Sequence, residues 1–113
     1  MTASVYLFAY GPLQIPEVQV SSFGRVLDGA RDSMAGFRKH MMEITDPDLL
    51  ASGCKRFCPT LLPSDDPSDE VAGMRYAITD EELVAVDIYE ACGYRREERT
   101  LKSGHAAWVY FKL

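Results

Sequence analysis

The segment Ser4–Pro16, "SVYLFAYGPLQIP", decides how the rest of this 113-residue chain is read. Ser4 to Tyr10 is β-branched and aromatic and apolar on both sides, the pattern of a strand buried on both faces. Such a strand belongs in the middle of a sheet. Gly11, Pro12 and Pro16 then stop both ladder and helix, so a loop begins where the strand ends.

Working outward, Glu17–Leu27 carries Val18, Val20, Phe23 and Val26 as the apolar set of a short helix weakened by Gly24. Ser33–Ile44 reads as a single strand with a partly exposed polar face. "TDPDLLASG" is a capped helical turn ended by Gly53. Phe57–Leu62 is a short strand whose Pro59 belongs at an edge or bulge. "PSDDPSDE" is a surface loop, and Val71–Ile78 is a further strand. Thr79–Glu82 fits a capping box opening a helix from Asp80 to about Ala91, stopped by Gly93. Arg95–Leu101 and Ala106–Leu113 alternate around "KSGH" as a closing β-hairpin. Strands outnumber helices without alternating regularly with them, so an α+β domain is expected rather than a doubly wound sheet.

The length and the 47% hydrophobic content suit one core, and residues 1–113 are read as one domain. A net charge of -5 disfavours nucleic acid and anionic lipid as partners, because both demand a positive surface. No apolar run approaches the roughly 20 residues of a membrane span. Three cysteines, an odd number, and no secretory leader pattern point to a reducing cytoplasm. Cys54 and Cys58 lack a zinc-ligand pattern with Cys92 and the distant His40 and His105, so ordinary reduced thiols and no metal are expected. The two histidines also lack the partner signature of a nucleophilic triad.

Two features carry chemistry. On a helix stepping about 100° per residue, Glu90 falls close to Leu83 and within about 60° of Val86, among apolar neighbours. A desolvated carboxylate there has a raised pKa suited to moving protons; alternatively it solvates the last turn and pairs with Arg95 or Arg96. The Tyr10–Gly11 turn is the second feature. It can aim successive backbone N–H groups into one space as a nest for a carboxylate or oxyanion, or be an ordinary turn.

Taken together, "YGPL" at Tyr10–Leu13, "DIYE" at Asp87–Glu90, "YRR" at Tyr94–Arg96 and "AWVY" at Ala107–Tyr110 resemble the ordered motifs of the γ-glutamylcyclotransferase-like family. "GRVL", "AGFR" and "VAGMRYAITDEEL" extend the likeness over nearly the whole chain. The resemblance implies a small α+β fold with a mixed, partly open β-barrel and a few short helices. It implies a cavity between the Y-G-x-L loop and the helix bearing the glutamate.

It also implies cyclisation of a small γ-glutamyl amide, dipeptide or amine conjugate to 5-oxoproline with release of the amine, without metal or cofactor. Glu90 would be the general acid/base. Tyr10, Gly11, Pro12, Leu13, Gln14 and Tyr94 would contact substrate, and the protein would act as a monomer or small homo-oligomer. Position 12 departs from the family's usual Thr or Ser: Pro has neither hydroxyl nor N–H. A catalytically silent member that binds an amino-acid-like ligand in the same cavity is the alternative.

Overall fold

The computed structural model of the chain describes residues 5–89 and 93–112. The opening strand, β1 (Val5–Ala9), is central as expected. Along it, Leu7 and Ala9 enter one buried cluster with Leu13, Leu27, Tyr76, Ile78, Leu83 and Val86. Phe8, together with Tyr10 just beyond the strand, enters a second with Met34, Leu61, Val71, Val109 and Phe111. Side chains alternate across a strand, so one without a polar face needs two cores.

β1 runs antiparallel to β5 (Glu70–Ile78) and parallel to β7 (Ala106–Lys112), where Leu7 faces Trp108. β2 (Gly29–Ala35) completes one side and β6 (Tyr94–Thr100) the other, giving the order β2-β5-β1-β7-β6. The five-stranded sheet is therefore mixed and open, with β2 and β6 as its edges. A separate antiparallel ribbon, β3 (Phe37–Glu43) with β4 (Phe57–Pro63), covers the second core through Leu61 and Phe37.

The expected single strand over Ser33–Ile44 is corrected: Gly36, at φ 81°, divides it into β2 and β3, which belong to different sheets. A left-handed residue reverses the chain where a strand cannot, and glycine adopts it without steric penalty. The first helix, α1 (Pro16–Phe23), is shorter than expected because Gly24, at φ 76°, caps it. Pro59 occurs in a two-stranded ribbon facing Met41, the kind of position where a missing ladder donor is tolerated.

After the short α2 (Pro47–Ala51), the capping box forms as read at the start of α3 (Asp80–Tyr89). Thr79 N–H donates to Glu82 Oε1 at 2.9 Å, and Glu82 N–H to Thr79 Oγ1 at 3.1 Å. Arg25 adds a two-pronged pair to the same glutamate at 2.8 and 2.9 Å, tying the chain after α1 to α3. The expected end of the helix near Ala91 lies outside the described residues.

At the other end of the sheet, Asp32 accepts from Arg75 at 2.7 Å and from Ser103 Oγ at 2.5 Å, binding β2 and β5 to the β6–β7 turn. His105 Nδ1 stands 2.9 Å from Ser103 Oγ. This is not a nucleophilic arrangement, because the serine hydrogen is aimed at the carboxylate.

Burial alone raises the Asp32 carboxyl, but the hydrogen bonds from Ser103, Ser33 and Arg75 outweigh it and hold the group below its ordinary range. The Arg25 hydrogen bonds, reinforced by Thr79, do the same for Glu82 against its desolvation. Both carboxylates bind protons less tightly folded than unfolded. Their contribution is therefore present above the ordinary carboxylate range, about pH 4, and lost as pH falls through their lowered folded values. Urea midpoints are expected to fall from pH 6 to pH 3, and Asp32→Asn should flatten that fall. Equal slopes in the two proteins would show that Asp32 is not part of the effect.

Candidate functional site

β1 leads directly into the site. Pro12–Gln14 forms one 3-10 turn with Gly11 at its N-cap, Gln14 N–H donating to Gly11 O at 3.1 Å and Ile15 N–H to Pro12 O at 3.0 Å. Pro12 takes the first position of the turn, where a missing N–H breaks no bond inside it.

Gln19 on α1 fastens this turn from below. It is buried, donates from Nε2 to Leu13 O at 2.8 Å and accepts at Oε1 from Leu27 N–H at 2.9 Å. Gln19→Leu is expected to destabilise the protein by about 2 kcal/mol, since it leaves a buried carbonyl and a buried N–H unpaired. Chemical denaturation measures this, and a loss below about 0.5 kcal/mol would mean that water or a backbone shift replaces the amide.

The loop forms one wall of a cavity of about 260 Å³. Tyr10, Gly11, Pro12 and Leu13 line it, as do Tyr94 and Tyr110, while Gly53–Lys55 and Phe57–Pro59 form the facing wall. A Cβ on Gly11 would stand 3.5 Å from Pro59 Cγ, so loop and β4 lie in van der Waals reach.

Tyrosines stitch the walls together. Tyr10 Oη donates to Tyr110 O, Tyr94 Oη to Pro59 O at 2.5 Å, and Tyr110 Oη to Asp87 Oδ1 at 2.5 Å. Asp87 also accepts from Arg96 Nε at 2.9 Å, and Arg96 lies over the Trp108 ring at 4.6 Å. The last described turns of α3 are thus pinned to β6 and β7 beside the cavity. Glu90 itself lies outside the described residues. Arg95 pairs with Glu97 and Arg96 with Asp87.

Of the sequence-derived contact residues, Tyr10, Gly11, Pro12, Leu13 and Tyr94 converge on the cavity. Gln14 is not in its lining; its N–H and its Nε2, at 3.2 Å, both serve Gly11 O. Lys55, Phe57 and Tyr110 line the cavity although the sequence reading gave them no site role, and Cys58, read only as an ordinary thiol, joins them. Only the position of Tyr110 inside the "AWVY" motif hinted at it. The thiol expectation divides, because Cys58 is a buried free thiol whereas Cys54 is disulfide-bonded.

Among the described residues, no three His, Cys, Asp or Glu side chains gather as a metal site, and no helix is long and apolar enough to cross a membrane.

An open mixed sheet, short flanking helices and a cavity at a Tyr-Gly turn define a small α+β protein with a tyrosine-lined pocket at the end of its central strand. The chain belongs to the gamma-glutamyl cyclotransferase, AIG2-like family, whose model matches residues 7–113.

Solved structures share the fold. An Arabidopsis thaliana protein determined in solution superimposes with a TM-score of 0.70 at 22% identity, over 96% of this chain and 68% of its own. A structure named gamma-glutamyl cyclotransferase gives 0.71 at 17% identity, over 96% of this chain and 66% of that one. An uncharacterized Homo sapiens protein gives 0.72 at 18%, over 98% and 68%. This chain thus spans about two thirds of their length. No curated protein sequence matches it significantly.

Proposed function

We propose that this protein cyclises a small γ-glutamyl amide, dipeptide or amine conjugate to 5-oxoproline and releases the amine. The observation that carries the reading is the cavity between the Tyr10–Leu13 turn and the elements that pin the end of α3, in a chain that matches the family from residue 7 to 113.

A γ-glutamyl donor holds both reactants, the α-amine and the γ-carbonyl. Keeping it folded removes much of the entropic barrier to closing a five-membered ring. The N–H groups of Gly11 and Leu13 receive the α-carboxylate at the start of the turn, and Gln14 rigidifies that turn through Gly11 O. Glu90, next in the chain after α3, takes a proton from the α-ammonium. The freed amine attacks the γ-carbonyl, the C–N bond to the leaving amine breaks, and Glu90 returns the proton to that nitrogen.

The test is 5-oxoproline release from a panel of γ-glutamyl dipeptides and γ-glutamylamines, with product expected from at least one class. No product across the panel from folded protein would replace this reading with the silent ligand-binding one, which Pro12 favours by withholding a hydroxyl and an N–H.

A further inference from the structure

We infer that Lys55 selects the leaving half of the substrate by charge, favouring γ-glutamyl donors whose departing amine carries a carboxylate over uncharged or cationic amines. This rests on the reading just proposed and concerns the opposite end of the ligand.

Lys55 is the only charged side chain among the described residues that line the cavity. Other cations near this part of the fold are engaged: Arg56 with Glu43 at 2.6 Å, Arg95 with Glu97 at 2.8 Å and Arg96 with Asp87 at 2.9 Å. Lys55 has no ion pair among the described residues, and the cavity lining contributes no described carboxylate to neutralise it. In a chain of net charge -5, Lys55 therefore puts a local positive charge on its own wall of the cavity, apart from the glutamate proposed above for the reacting end.

Position separates the two ends of the ligand. Tyr10 and Leu13, on the loop side of the lining, are buried, whereas Lys55, across the cavity, is exposed next to exposed Phe57. A glutamyl half seated on the loop amides directs its leaving half towards that wall. There a flexible ammonium can meet a carboxylate at varied distances, as suits a point charge on a long stem. The Phe57 ring provides apolar surface beside it.

The test compares matched donors, γ-glutamylglycine and γ-glutamyl-ethylamine, by kcat/KM and by calorimetric Kd, for wild type, Lys55→Met and Lys55→Glu. Because Lys55 is exposed, both variants should fold. Wild type is expected to favour the carboxylate donor by about three- to tenfold, as for a partly screened ion pair. Lys55→Met should abolish the preference and Lys55→Glu reverse it. Raising the salt to about 1 M should shrink the wild-type preference.

An equal loss on both donors in Lys55→Met would place the lysine on the glutamyl half and overturn the inference, as would no wild-type preference. Absence of turnover on every donor would instead overturn the proposed reaction. The Kd ratios would then decide Lys55 alone: a preference for the carboxylate ligand that Lys55→Met removes supports the inference, and equal affinities overturn it.

Discussion

Glu90→Gln is expected to lower kcat for 5-oxoproline release by about 10²–10⁴-fold, the range for removing a positioned general acid/base. The amide has nearly the shape of the carboxylate, so KM and the denaturation midpoint should change little. The reaction needs one group that accepts a proton from the α-ammonium and later donates one to the leaving nitrogen. Among the described residues, the cavity lining supplies no carboxylate that does this, and Asp87 is engaged by Tyr110 and Arg96. Paired assays of wild type and Glu90→Gln at saturating donor measure the effect. Unchanged kcat would remove Glu90 from the mechanism and leave the tyrosine-lined cavity to act by positioning alone.

The second large effect concerns the frame. Gly73→Ala is expected to cost about 3 kcal/mol, at the upper end for overpacking a rigid site. A Cβ at Gly73 would stand 2.4 Å from Ala9 O and 2.8 Å from Phe8 Cζ. Ala9 O belongs to the backbone of the central strand, and Phe8 is 1% exposed, so neither can withdraw cheaply. Relief must come from parting β5 from β1 at the end that leads into Tyr10 and the loop. Activity should therefore fall together with stability. Ala72→Ser, at the exposed neighbouring position, should stay within about 0.5 kcal/mol. Urea unfolding of the two variants provides the comparison, and equal midpoints would show that the strands shift apart without penalty.

Most elements were legible because their signals are local. The two-faced apolar run of β1, the Thr79–Glu82 capping box and the hairpin turning at Gly104 each follow from side-chain pattern or backbone demand within a few residues. The strand read over Ser33–Ile44 failed for a different reason. Its residues do form extended chain on both sides of Gly36, but one half pairs with β5 and the other with β4. A local pattern reports extended backbone and carries no information on which distant strand completes the ladder.

For the site, the sequence by itself determined the Tyr10–Leu13 turn, because Gly11 and Pro12 permit little else after a buried strand. It also marked Glu90 as an anomaly on an apolar helix face and Tyr94 as a candidate wall residue. Tertiary structure alone decided what faces that turn. Lys55, Phe57 and Cys58 come from a segment more than forty residues away whose sequence resembles an ordinary surface strand, and Gln19 looks like a solvated helix residue until its amide meets Leu13 O and Leu27 N–H. The physical reason is range. Turns and caps are set by bonds a few residues apart, whereas a cavity is the space left between elements whose approach depends on the packing of the whole core.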